Sequence, residues 1–162
     1  MNRHAYPSDR GPRHPATSRP DGSARANLFA PPLVRDGREA RWDLPAAPET
    51  ASVARRLVRE ALATWDLSDL ADDLTMVVSE VVTNAVVHAK SAMTLSLHRQ
   101  GRSVRGEVAD QSDVWPTPLS AGPNAEHGRG LAIVAAYSER WGVSPAPDGK
   151  IVWFVCGERP AS

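Results

Sequence analysis

Between Val77 and Ala89 the chain reads Val-Val-Ser-Glu-Val-Val-Thr-Asn-Ala-Val-Val-His-Ala, and this segment limits the fold more than any other. It is apolar almost all round, which suits a helix in the middle of a domain rather than one on its surface. Three strongly polar groups interrupt it: Glu80, Asn84 and His88. The spacing i, i+4, i+8 sets them along one face of a helix. A carboxylate and an amide buried there cost free energy unless each finds a partner. A row of such groups in a buried helix points to a polar ligand.

The flanking patterns supply elements for that helix to pack against. Glu39–Leu44 reads as a short strand ended by Pro45 and Pro48. Glu49–Trp65 predicts an amphipathic helix, with Val53, Leu57, Ala61 and Trp65 on one side and Arg55, Arg56, Arg59 and Glu60 mostly elsewhere. Ser68 is placed to cap the next helix, and Asp69, Asp72 and Asp73 suit its positive N-terminal end. That helix runs to about Ala89. Thr94–Arg99 and Val104–Asp110 then alternate with period two, and the short link Gln100–Ser103 predicts an antiparallel hairpin. Val104, Gly106, Val108 and Asp110 share one face, while Arg105 and Glu107 take the other. One wet face implies a sheet covered by helices on one side only.

Residues 111–127 form a long loop with three prolines, of the kind that often serves as a lid. A third helix opens at Gly128–Gly130 and carries Leu131, Val134, Ala135 and Ser138. A strand at Trp141–Ser144, a turn at Pro145–Gly149 and a last strand at Ile151–Cys156 follow. The last strand is apolar on both faces, which leaves Trp153 or Phe154 partly exposed or at an interface.

At 162 residues the chain has room for one domain. Residues 1–37, rich in Pro, Arg, Ser, Gly and Asp, have too little apolar surface to offset ordering entropy and read as a disordered basic tail. The folded domain spans 38–158. Residues 1–41 hold eight arginines against four carboxylates, so the neutral total hides a mildly acidic body. An acidic body argues against direct binding of nucleic acid. Cys156 stands alone, which excludes a disulfide framework and fits a reducing cytoplasm. No apolar run approaches the ~20 residues of a membrane span.

Each polar group has two chemical readings. The Asn84 amide could close a buried network or, through its oxygen, ligate Mg²⁺. Glu80 could be a salt-bridged core carboxylate, or a general base beside a phosphate. Asp110 could simply end its strand, or accept a hydrogen bond from a purine amino group. Gly128-Arg129-Gly130 at a helix start supplies bare N–H groups and a positive dipole end suited to phosphate. Arg129 either pairs a phosphate or faces solvent. His88 is either a satisfied helix histidine or a ligand contact, and Lys150 falls in a turn, where it is solvated. There is no P-loop and no protein-kinase glycine loop with its catalytic segment. His4, His14, His98 and His127 make no metal-ligand spacing with carboxylates. An acid and an amide on one helix, an inward Asp at a strand end and a Gly-x-Gly opening a second helix together suggest a nucleotide pocket.

Three motifs in this order resemble the GHKL ATP-binding superfamily. Glu80-Val-Val-Thr-Asn84-Ala85 looks like its N-box, Val108-Ala-Asp110-Gln-Ser112 like its first glycine box, and Gly128-Arg129-Gly130-Leu131 like its second. Trp65, Glu80–Ala89, Glu126–Leu131 and Gly149–Trp153 are similar to the pattern of actinobacterial regulators related to anti-sigma-factor serine/threonine kinases. The resemblance covers about residues 40–156. It implies an α+β fold, a two-layer sandwich with helices on one face of a mixed, mostly antiparallel sheet. It also implies ATP held between the layers, Mg²⁺ on Asn84, adenine read by Asp110, phosphates wrapped by Gly128–Gly130, and Glu80 as the base. His88, Ser112, Arg129 and Leu131 belong to the same nucleotide-binding set. Ser112 stands where the wider superfamily has glycine, and Ile151 where close relatives have threonine. The activity implied is phosphorylation of an anti-anti-sigma protein, with control of transcription through a sigma factor, and a homodimer is compatible with it. A nucleotide-gated binding module without catalysis is the second reading. The catalytic part of a sensor histidine kinase is the third, weakened by the lack of a His on the first helix.

Overall fold

Alternation in five short segments builds one antiparallel sheet, and an amphipathic helix and a more apolar one cover one of its faces. The computed structural model describes residues 37–114 and 129–157. The expected tail before Gly37 and most of the long loop, with Gly128, lie outside the described residues.

Strand β1 (Glu39–Leu44) leads to helix α1 (Thr50–Thr64). A 3₁₀ turn at Ser68–Leu70 opens helix α2 (Ala71–Asn84), which runs on into a π-helical turn at Ala85–Ala89. The hairpin β2 (Met93–Gln100) and β3 (Ser103–Asp110) follows, then α3 (Arg129–Tyr137), β4 (Arg140–Ala146) and β5 (Gly149–Gly157). The sheet order is β1-β2-β3-β5-β4. Every ladder among the described strands is antiparallel. The α+β two-layer class therefore stands, with no parallel pairing in the described sheet.

The core lies between the sheet and α1 and α2. Trp42, Leu44, Leu95, Leu97, Val104, Val108 and Phe154 from the sheet meet Val58, Leu62, Leu74, Val77, Val78 and Val82 from the helices. The buried stripe of α1 is Ala54, Leu57, Val58 and Leu62, with Val53 and Ala61 only partly buried beside it. The expected stripe holds at Leu57 and Trp65, while Ala54, Val58 and Leu62 are buried in place of Val53 and Ala61. The C-terminus of α1 is held by a Schellman arrangement. Asp66 takes a left-handed φ of 57°, and Leu67 N–H donates to Leu62 O at 2.9 Å. Both leucines are fully buried, which ties this stop to the core. Ser68 is not a cap: its side chain makes no capping bond, and the 3₁₀ turn closes through Leu70 N–H to Leu67 O.

The hairpin between β2 and β3 turns on Gly101 and Arg102, with Gly101 at φ 65° supplying the positive φ that such a tight turn needs. Gly106 answers a different demand. A Cβ there would come within 2.1 and 2.3 Å of the Phe154 ring on the neighbouring strand. Gly106→Ala is expected to destabilise the domain by about 1–3 kcal/mol through overpacking, seen as a lower midpoint in denaturant unfolding. On the open face of the sheet Trp153 is half-buried beneath the Arg105 guanidinium, 4.7 Å from the ring centre, while Arg105 also pairs with Glu107 at 2.8 Å. Phe154 is the fully buried member of that pair.

Candidate nucleotide site

Helix α2 enters with Asp72 and Asp73 in its first turn, and its last two turns present Glu80 and Asn84. Both side chains are half-buried at the edge of the core rather than sealed inside it. Neither has a hydrogen-bond or ion-pair partner among the described residues. Helix α3 starts opposite them. A Cβ added to Gly130 would lie 3.0 Å from Glu80 Oε2 and 3.2 Å from Asn84 Nδ2. The second residue of α3 is thus bare backbone pressed against an uncommitted carboxylate and an uncommitted amide. A helix N-terminus carries unsatisfied N–H groups and positive potential.

His88 follows one turn later, in a change of helix type. The helix widens into the π turn after Asn84, ends at Lys90 with φ 50°, and Lys90 N–H donates to Ala85 O, five residues back. His88 lies in this π turn and is exposed. Arg129 is also exposed, at the start of α3. Leu131 is 6% exposed and points into the protein. Gly128 lies outside the described residues.

Asp110 ends β3 on the face that packs under the helices and is 6% exposed. Its Oδ1 accepts from Lys150 Nζ at 2.8 Å and from Ser112 N–H at 2.8 Å. Ser112 is buried, and its hydroxyl accepts from Val114 N–H at 3.1 Å. These two local bonds fold residues 110–114 into a tight Asx turn followed by a serine turn. Ser112 thus helps to shape the chain as it leaves β3.

Lys150 is where the sequence reading failed. It is not in a turn and not solvated: it is 5% exposed, on β5, directly opposite Asp110 in the ladder. The β4–β5 turn is only Pro147 and Asp148, shorter than expected, so β5 already begins at Gly149. The signal was present in the alternation, since Lys150 shares its phase with Val152, Phe154 and Cys156, all buried. Gly149 is required beside it, because a Cβ there would fall 2.0 Å from Asp110 O.

No cluster of three His, Cys, Asp or Glu side chains that could hold a metal occurs among the described residues. A separate cavity of about 190 Å³ between β1 and α1, lined by Trp42, Leu57, Glu60 and Trp65, shares no residue with this site.

The sequence profile of the histidine kinase-like ATPase domain matches residues 44–156, well over half of the chain. The chain belongs to this family. The matched span runs from the end of β1 to β5 and holds both Glu80–Asn84 and the Asp110–Lys150 pair. The fold of this ATPase domain is also similar to the crystal structure of the RsbU and RsbW domains of Rv1364c from Mycobacterium tuberculosis. The TM-score is 0.58 at 23% identity over 76% of this chain. The match covers 33% of that chain, so the ATPase domain spans about a third of its length. No curated protein matches the sequence significantly. Among the described residues no helix is long and apolar enough to cross a membrane.

Proposed function

We propose that this domain binds ATP with Mg²⁺ and transfers the γ-phosphoryl group to a serine or threonine of a protein partner. The observation that carries the reading is the meeting of Glu80 and Asn84, both without protein partners among the described residues, with the bare Gly130 at the start of α3. That arrangement fits a phosphate group and its metal. The Asn84 amide oxygen would hold the ion, which keeps waters and phosphate oxygens as its other ligands and offsets their charge. The N–H groups of α3 would take the phosphates, and Glu80 would orient and deprotonate the incoming hydroxyl. The motif resemblance of Glu80–Ala89, Glu126–Leu131 and Gly149–Trp153 supports an anti-anti-sigma-like protein as the partner, with a sigma factor as the target under control.

Calorimetric titration with Mg·ATP and Mg·ADP is expected to give binding at micromolar strength or weaker, because the site has one helix N-terminus and no P-loop. Absence of heat with either nucleotide would overturn the reading. Labelled ATP supplied with the partner protein then separates the kinase from a nucleotide-gated module. The kinase labels a hydroxyl of the partner. The module labels nothing, and its partner affinity differs between ATP and ADP.

A further inference from the structure

Asp110 and Lys150 form a buried ion pair whose side chains are 2% and 7% exposed. Burying two charges is costly, and a pair of hydrophobic residues would often be as stable in the same place. The bonding is also lopsided. Lys150 Nζ and Ser112 N–H both converge on Oδ1, each at 2.8 Å. Oδ2 has no donor among the described residues, and it is not among the buried polar atoms sealed from solvent without a partner. The carboxylate is therefore clamped by one oxygen and presents the other.

We propose that Lys150 is a positioning residue that makes the site selective for a base bearing an exocyclic amino group. Two donors from two directions, one on β5 and one in the turn after β3, fix the carboxyl plane and use up Oδ1. What remains is a single oriented acceptor, Oδ2. A purine with an amino group at position 6 supplies a donor to it. A 6-oxo purine sets a carbonyl oxygen against it, leaving two acceptors face to face. A site built to satisfy one hydrogen-bonding pattern rejects the other because its own polar atom is left unpaired. Without Lys150 the carboxyl group can turn about its Cβ–Cγ bond and offer Oδ1 or Oδ2 at several angles, or take up water. Its discrimination then falls, although the phosphate-binding end of the site is untouched. This role rests on the proposal that the domain binds ATP.

The test compares ATP and GTP affinities of the whole protein with those of Lys150→Met and Lys150→Gln, with thermal melting of each variant in parallel. Lys150→Met is expected to lower ATP affinity about tenfold or more, the scale of one charge-assisted hydrogen bond, and to change GTP affinity little, so that the ratio of the two collapses. Lys150→Gln keeps a donor but not the charge, and should lose about three- to tenfold of the ratio. An equal loss for ATP and GTP in Lys150→Met means a structural role only and overturns the proposal. If Lys150→Met does not fold, an unchanged ratio in Lys150→Gln overturns it as well. Failure of the unmodified protein to bind either nucleotide is a different result, which overturns the ATP reading itself and this role with it.

Discussion

Glu80→Gln should cut phosphotransfer to the protein partner by roughly 10²–10⁴-fold, the usual scale for a lost general base, with ATP affinity near that of the unmodified protein. The amide keeps the shape of the side chain and one acceptor oxygen, so the approach to Gly130 is preserved. What it removes is the ability to take a proton from an attacking hydroxyl. The structure favours this separation of effects, because Glu80 has no ion-pair or hydrogen-bond partner among the described residues. A carboxylate that holds the core together would have one, and its replacement would then show first in the melting temperature. Single-turnover phosphotransfer, read beside calorimetric ATP binding, decides the matter. Unchanged transfer in Glu80→Gln would reject the role of base.

The fold was largely readable because each element announces itself by period. β1 was placed at Glu39–Leu44, which is where it lies. The inward set Val104, Gly106, Val108 and Asp110 is the buried set of β3. The errors came where two residues' worth of turn geometry decides the outcome. The stretch Pro145–Gly149 looks like one long turn, yet only two of its residues turn, and the strand phase that follows buries a lysine. A buried Lys runs against the strong tendency of lysine to stay exposed, and only the partner across the ladder makes it tolerable. That partner, Asp110, lies forty residues away in sequence and is brought opposite only by the β3–β5 pairing.

The candidate site divides in the same way. The motifs named Glu80, Asn84 and Gly130 separately, but their approach depends on how α3 docks on α2, a tertiary fact that no spacing contains. The π turn that holds His88 is marked by no residue type, so a straight α-helix is the natural expectation from the sequence. Ser112 shapes the turn after β3 through its N–H and its hydroxyl oxygen, which no spacing in the sequence shows, and its O–H is left to donate. The exposed Arg129 keeps both of its sequence readings.

Asn84→Ala should weaken Mg·ATP by about 10- to 100-fold, as expected for losing one ligand or charge-assisted contact, and weaken metal-free nucleotide far less. The two readings of this residue differ in sign as well as in size. If Asn84 were a structural link, its removal would break a bond and leave a partner unsatisfied, at a cost of about 1–3 kcal/mol. No such partner exists among the described residues. Alanine is also the better helix former, so a substitution at the last residue of α2 should leave stability unchanged or raise it by a few tenths of a kcal/mol. A protein that melts no lower than the original, yet has lost the metal-dependent part of its nucleotide affinity, would place Asn84 at the ion. Titrations with ATP in the presence of Mg²⁺ and in excess chelator supply both numbers from one preparation. Equal losses in the two titrations would show that the amide contacts the nucleotide or the helix instead, and the metal assignment would fall while the ATP reading survived.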